Sequence, residues 1–335
     1  MTVTSIDQQI AESISGKLNI TQKVAIHSLI SSGVQDELLN APANVQTRLI
    51  FATVDDCLSV AVLAIEYSTD SGKVVYLEKL DTTNVRLPGL ARTVVQSYLE
   101  LQSARIFVFA RSQPQYLFHR SAESSKSSLS GRKLVRWWQK SLSIAGSTNK
   151  HILVPGEASV AYKLPNWTWG LDAPPDANAV DTIYQFKDDV KQKAIVSMLN
   201  SDAKVSDLVE TLPVMAEFSA DVAGLFSLTC NGDGRIEDAT EEGTFIEYLG
   251  KWMSCEFHDS AHIRKSSIDL ISQWESITGR EGAQCDCSKQ SEVANAGNAV
   301  KSTSIVTIQG LVKRKEPTVV KSVQGLIKKK HKTID

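Results

Sequence analysis

Residues 48–81, "RLIFATVDDCLSVAVLAIEYSTDSGKVVYLEKLD", hold three runs rich in Val, Ile and Leu, separated by Asp55-Asp56 and by Asp70-Ser71-Gly72. Runs of this composition, bounded by turn-forming residues, read as strands. Turns this short join antiparallel neighbours. A chain with such a block is committed to building around a sheet. The next segments extend it: "LARTVVQSYLELQ" has the apolar spacing of an amphipathic helix, and "ARIFVFAR" (104–111) is a buried strand containing Phe107 and Phe109.

The remaining chain arranges itself around this centre. Residues 1–46 read as helical, because "DQQIAESI" and "TQKVAIHSLISSGVQDELL" carry apolar residues at three-and-four spacing. A Ser/Lys-rich loop precedes the helix "GRKLVRWWQKSLSIAG" (131–146), and "HILVPGE" and "AYKLPNWTWGLD" are short extended pieces. "YQFKDDVKQKAIVSMLNSDAKVSDLVETL", "TEEGTFIEYLGKWM" and "SSIDLISQWESI" complete a helical flank. Strands and helices interleave only in the first half, so one mixed α/β domain is expected over 1–281, with its core at 47–172 and the flank at 173–281. From 282 to 335 the composition turns polar and poor in aromatics, the signature of a disordered tail. Within it "IQGLVKRK" (308–315) returns as "VQGLIKKK" (323–330), a pattern suited to bivalent strand addition on a partner.

Charge sharpens this division. The formal net charge is -2, but residues 313–332 contain eight Lys/Arg and one acid, leaving the body near -9. An acidic body suits a basic partner, and a basic tail suits docking or targeting. No run of eighteen apolar residues marks a membrane span, and the N-terminus lacks the basic start of a secretory signal. Five irregularly spaced cysteines point to a reducing, intracellular compartment.

Familiar catalytic motifs are missing: there is no nucleophile elbow, P-loop or dinucleotide fingerprint. "HDSAH" places His258 and His262 four apart, with aspartate where zinc proteases carry their glutamate, and reads as exposed helical histidines; no metal is expected. "NGDGRI" lacks the terminal carboxylates of a calcium loop and reads as a turn. What remains is Asp81 closing a strand, Arg92-Thr93 at the start of a helix where phosphate binds favourably, and the carboxylate pair Asp188-Asp189. Around the Ser/Lys loop stand two aromatic clusters, Tyr116 with Phe118 and Trp137 with Trp138, which form either a core corner or a pocket wall.

Taken in order, "LDTTN", "LARTVVQSYLE", "ARIFVFARSQPQYLFH" and "LVRWWQK" resemble the acetyl-CoA-binding heart of CBP-type acetyltransferases. With "ILVPGE", "NWTWG", "FKDDVKQK", "ATEEGTFIEYL", "SITGRE" and "TIQGLVKRK" the chain more closely resembles the fungal histone H3 acetyltransferase family known as the regulator of Ty transposition. That resemblance implies a mixed, mostly antiparallel central β-sheet surrounded by helices. It also implies acetyl-CoA as co-substrate, bound by Arg92, Thr93, Phe109, Tyr116 and Trp138. Catalysis would fall to Asp81, Trp138, Asp188 and Asp189, with Lys191 autoacetylated. The implied partners are histone H3–H4 and histone chaperones of the anti-silencing and nucleosome-assembly types, in the nucleus, without direct nucleic-acid or membrane contact. Relatives can carry a long insertion between "ARTVVQSYLEL" and "ARIFVFAR" that is nearly absent here. The alternative is a catalytically inactive scaffold of the same fold that binds histones or chaperones.

Overall fold

The computed structural model describes residues 5–286, apart from 125, 127, 163–164, 187–190, 192–193, 196–201, 216–222 and 235–238. The chain enters through α1 (Ile6–Lys17), started by a reciprocal capping box between Ser5 and Gln8. Strands β1 (Val24–Ile30), β2 (Val34–Leu38), β3 (Ala41–Val54), β4 (Cys57–Thr69) and β5 (Gly72–Thr82) follow as an antiparallel run. Asp55 and Asp56 both adopt positive φ, 50° and 61°, as a two-residue hairpin turn with the right twist requires. The Asp55 carboxylate is further occupied by Lys23 N–H (3.1 Å) and Gln22 (3.2 Å).

Helix α2 (Leu90–Glu100) then crosses over to β6 (Ser103–Ala110), which pairs with β5 in parallel. After α3 (Gly131–Ser141) come β7 (Thr148–Leu153), β8 (Thr168–Trp169), α4 (Ala179–Thr182), α5 (Val205–Thr211) and β9 (Gly224–Asn231). Helices α6 (Glu242–Ser254) and α7 (Ser260–Thr278) and strand β10 (Ala283–Gln284) close the described chain. The strands form one mixed sheet in the order β10-β1-β3-β4-β5-β6-β9-β7-β8, with β2 on β3. One face is covered by α1, α2 and α3 through Ile10, Ile14, Val94, Tyr98 and Trp138. Part of the other face carries α6 and α7, where Trp252 and Trp274 are fully buried and Trp274 donates its indole N–H to Ser28 O (2.9 Å). This is the mixed α/β sheet expected from the sequence, and among the described residues no helix is long and apolar enough to cross a membrane.

Three stretches correct the sequence reading. Residues 24–38, expected to be helical, are β1 and β2. Every residue of β1 is buried, and a strand covered on both faces has no alternation to distinguish it from a buried helix. Strand β9 gives equally little signal and fills the gap between β6 and β7, so strands are not confined to the first half. Pairing also continues past residue 281: β10 aligns Ala283 with Ile26, and Asp286 N–H donates to Ser15 Oγ (2.8 Å). Residues 287–335, including the repeated tail motif, lie outside the described residues.

Candidate active site

The parallel pair β5–β6 creates the site. Its pairing ends at Leu77 opposite Val108, and directly after it β5 makes a bulge at Glu78, shifting register against β4. Beyond that point β5 stays with β4 as far as Thr82, while β6 stays with β9 as far as Ala110. The two strands therefore part at their C-terminal ends, the place where sheets with crossover helices open a crevice. A cavity of about 210 Å³ occupies the opening. Strand β5 lines it with Leu77, Leu80 and Asp81, and the end of β6 with Phe109 and Arg111. Helix α3 roofs it with Leu134, Trp137 and Trp138, and the Ser/Lys loop with Lys126 and Leu129.

Tyr116 from the first aromatic cluster and both tryptophans of the second thus line one pocket. Trp137 and Trp138 meet edge-to-face at 5.2 Å, which fixes both rings, and Trp138 is buried. Phe118, two residues after Tyr116, points instead into the aromatic core under α6. The Tyr116 hydroxyl donates to Arg111 O (2.6 Å), and burial raises its pKa above the ordinary phenol value. It is a neutral group with its proton already placed.

Asp81 is the organising charge. Its Oδ2 accepts backbone N–H bonds from Tyr116 (2.7 Å), Leu117 (2.8 Å) and Phe118 (3.0 Å). Its Oδ1 accepts from Thr82 N–H (2.8 Å) and from the ammonium of Lys126. A carboxylate offers about four lone-pair positions, so five donors leave it saturated. Both side chains of the Asp81–Lys126 pair are buried, and Lys126 also donates to Ser121 Oγ (3.1 Å). Sequence reasoning overlooked Lys126, although it is the single lysine in "SAESSKSSLSG" and the buried Asp81 requires a cation.

A second cavity, of about 270 Å³, lies beside the N-terminus of α2 and is lined by Arg86, Leu87 and Pro88. It shares Thr82, Ala91 and Lys126 with the first, so the two adjoin. Gly89 at the helix start has φ 87°, and no side chain caps the first turn of α2. Arg92 and Thr93 stand in that turn but line neither cavity. Thr93 donates its hydroxyl to Gly89 O (3.1 Å), while Arg92 Nε is buried without a hydrogen-bond partner among the described residues.

Of the residues singled out from the sequence, Asp81, Phe109, Tyr116 and Trp138 therefore come together, and Arg92 and Thr93 stand one helical turn away. Lys191 does not join them: it lines a separate cavity of about 30 Å³ with Tyr76 and Tyr184, its ammonium 5.6 Å from the Phe186 ring. Asp188 and Asp189 lie outside the described residues.

The histone acetyltransferase KAT11-type domain matches residues 57–325. Among solved structures, Rtt109 from Aspergillus fumigatus superposes with a TM-score of 0.71 over 84% of this chain and 99% of that one, at 15% identity. No curated protein sequence matches significantly. The KAT11-type match spans well over half of the chain, from β4 through the cavity to the tail: the protein belongs to the KAT11-type histone acetyltransferases, which are acetyl-CoA-dependent.

Proposed function

We propose that the protein transfers acetyl groups from acetyl-CoA to lysines of histone H3, presented with H4 by a histone chaperone of the anti-silencing or nucleosome-assembly type. The work would be done in the nucleus, during replication-coupled chromatin assembly and maintenance of genome stability. The observation that carries this reading is the pair of cavities meeting at Thr82, Ala91 and Lys126. An acetyl-CoA molecule needs an anion-binding end, a narrow waist and an apolar end for the thioester, in that order. The α2 N-terminus with Arg86 and Arg92 suits the phosphates, the junction suits the pantetheine arm, and the Tyr116–Trp138 chamber suits the acetyl group.

The chemistry asks little of the protein beyond placement. The amine nitrogen attacks the thioester carbonyl, a tetrahedral intermediate forms, and the C–S bond breaks as the proton given up by the amine neutralises the departing sulfur, so that CoA leaves as its thiol. A lysine of pKa near 10.4 is almost fully protonated at pH 7.4, so presenting it as free amine costs about 4 kcal/mol. A chamber walled by Leu80, Phe109, Leu134, Trp137 and Trp138 favours the neutral amine by desolvation. Saturated by five donors, Asp81 serves as a positioning residue rather than as the base. It holds residues 116–118 and Lys126 where the thioester must lie, and proximity supplies much of the rate. Asp188 and Asp189 would guide the incoming ammonium, and Lys191 would be autoacetylated. The acidic body, near -9, attracts a histone, and the basic tail engages the chaperone–histone assembly.

The test is labelled acetyl-CoA with H3–H4, with and without chaperone, followed by peptide mapping. Transfer to H3 that rises with chaperone and falls about tenfold in Trp138→Phe is the expected result. No transfer under any of these conditions would leave only the inactive scaffold.

A further inference from the structure

A second chemical cluster lies outside the cavity, at the start of α7. The sequence pattern "HDSAH" reads as two histidines one turn apart on a helix, but the helix begins later. Asp259 is the N-cap and α7 starts at Ser260, so His258 precedes the helix and His262 occupies its first turn. The change of backbone direction brings the two imidazoles together, with ring centroids 3.9 Å apart and planes tilted by 38°, instead of displaying them along one surface.

The ring nitrogens are sorted into an outer and an inner set. On the outer side, Asp259 holds both rings: its two oxygens lie 2.9 Å from His262 Nδ1, and its Oδ2 lies 3.4 Å from His258 Nε2. On the inner side, His258 Nδ1 and His262 Nε2 each lie 3.7 Å from the same atom, Glu256 Oε2. His258 Nδ1 is buried and has no hydrogen-bond partner among the described residues. The other oxygen of Glu256 is held by Arg120 (2.9 Å), which turns Oε2 towards the rings. One ligand atom from each of Glu256, His258 and His262 lies within 4.8 Å of the other two.

A carboxylate that accepts a histidine N–H on one side so that the opposite nitrogen presents its lone pair is the usual second shell of a metal-bound imidazole. Two nitrogens and one carboxylate oxygen make the ligand set of an open zinc site. In a tetrahedral site with bonds near 2.05 Å, ligand atoms stand about 3.3 Å apart; here each nitrogen is 3.7 Å from the carboxylate oxygen and all three atoms lie within 4.8 Å of one another, so the set must draw together to close on an ion. The cysteines nearest in sequence, Cys255 and Cys285, take no part.

We propose that Glu256, His258 and His262 bind one divalent transition-metal ion of the zinc class, with Asp259 and Arg120 orienting the ligands. Glu256, His258 and His262 line neither of the two adjoining cavities, but the site is joined to the loop that Asp81 holds. Phe257 N–H donates to His119 O (3.0 Å), and Arg120 follows Phe118 by two residues. Metal binding therefore fixes the base of the loop carrying Tyr116.

The test uses the full chain, stripped with EDTA and titrated with Co²⁺, whose visible d–d bands report coordination, then with Zn²⁺ in competition. One Co²⁺ per chain, displaced by Zn²⁺ and lost in the double variant H258A/H262A, is expected. Asp259→Asn keeps the helix cap but loses the carboxylate, and weakens binding about 10–100-fold. Absence of a 1:1 complex in the wild-type chain overturns the proposal, since the rings would then merely hold protons between carboxylates. A complex that persists in H258A/H262A, with an unchanged melting profile, overturns it equally, because the ion would sit elsewhere.

Discussion

Glu66 and Asp81 are buried carboxylates on the same β4–β5 hairpin, and they are neutralised in opposite ways. Glu66, 2% exposed, is surrounded by side chains: Arg48 Nε at 2.5 Å, Lys73 Nζ at 2.7 Å and the Tyr98 hydroxyl at 2.8 Å. It lines none of the cavities described above. Asp81, 4% exposed, is held by four backbone N–H groups and one lysine, and it borders a cavity. The first arrangement clamps strands β3, β4 and helix α2 together. The second uses charge to shape a loop, and main-chain donors leave the surrounding side chains free to line a chamber. A buried charge serves the fold when side chains answer it, and serves a site when a loop does.

The comparison breaks most readily at Glu66. Glu66→Ala removes the carboxylate that answers the buried Arg48, itself 2% exposed, and should cost about 3–5 kcal/mol in denaturant unfolding. Acetyl transfer per folded molecule should stay near wild type. Acid sharpens the same point. Burial alone would raise the Glu66 pKa, but Arg48 and Lys73 hold it at about 2, below the ordinary 4.5. Its contribution is present above pH 4.5 and fades as pH falls towards 2. His27, stacked on Phe51 at 4.6 Å, is pushed by burial from 6.5 to about 4. The unfolded chain takes up that proton first, so stability falls between pH 6.5 and 4 by up to about 3 kcal/mol. Melting curves of His27→Phe should flatten in that window while the loss below pH 4.5 persists.

At Asp81 the effect moves from stability to rate. Asp81→Asn should lower acetyl transfer about 100-fold through the misplaced loop, with an unfolding penalty of only about 1–2 kcal/mol. Lys126, released at a cavity edge, can turn to solvent. Lys126→Met should produce a smaller loss, about tenfold, read chiefly as a raised KM for acetyl-CoA. If Asp81→Asn unfolds the protein as severely as Glu66→Ala, the two carboxylates do not differ in kind.

Much of the sheet was legible because β3, β4 and β5 are separated by turns whose residue types announce them. Asp55-Asp56 and Asp70-Ser71-Gly72 need no tertiary information. Strands β1 and β9 were not legible, since continuous burial erases the alternation on which strand reading depends. Within the site, Asp81, Tyr116 and Trp138 were found through resemblance, but their convergence depends on the bulge at Glu78, which has no local signature. Lys126 was hidden because a lysine among serines looks solvated until the buried partner is known. His258 and His262 were misread for a related reason: their spacing suggests one helix, whereas a cap lies between them.

The most direct test is the position of acetyl-CoA in an experimentally determined complex. The account predicts the thioester between Tyr116 and Trp138, the pantetheine arm crossing at Thr82 and Lys126, and the phosphates at the start of α2. Acetyl-CoA seated elsewhere, with the chamber between Tyr116 and Trp138 closed or empty, would contradict it.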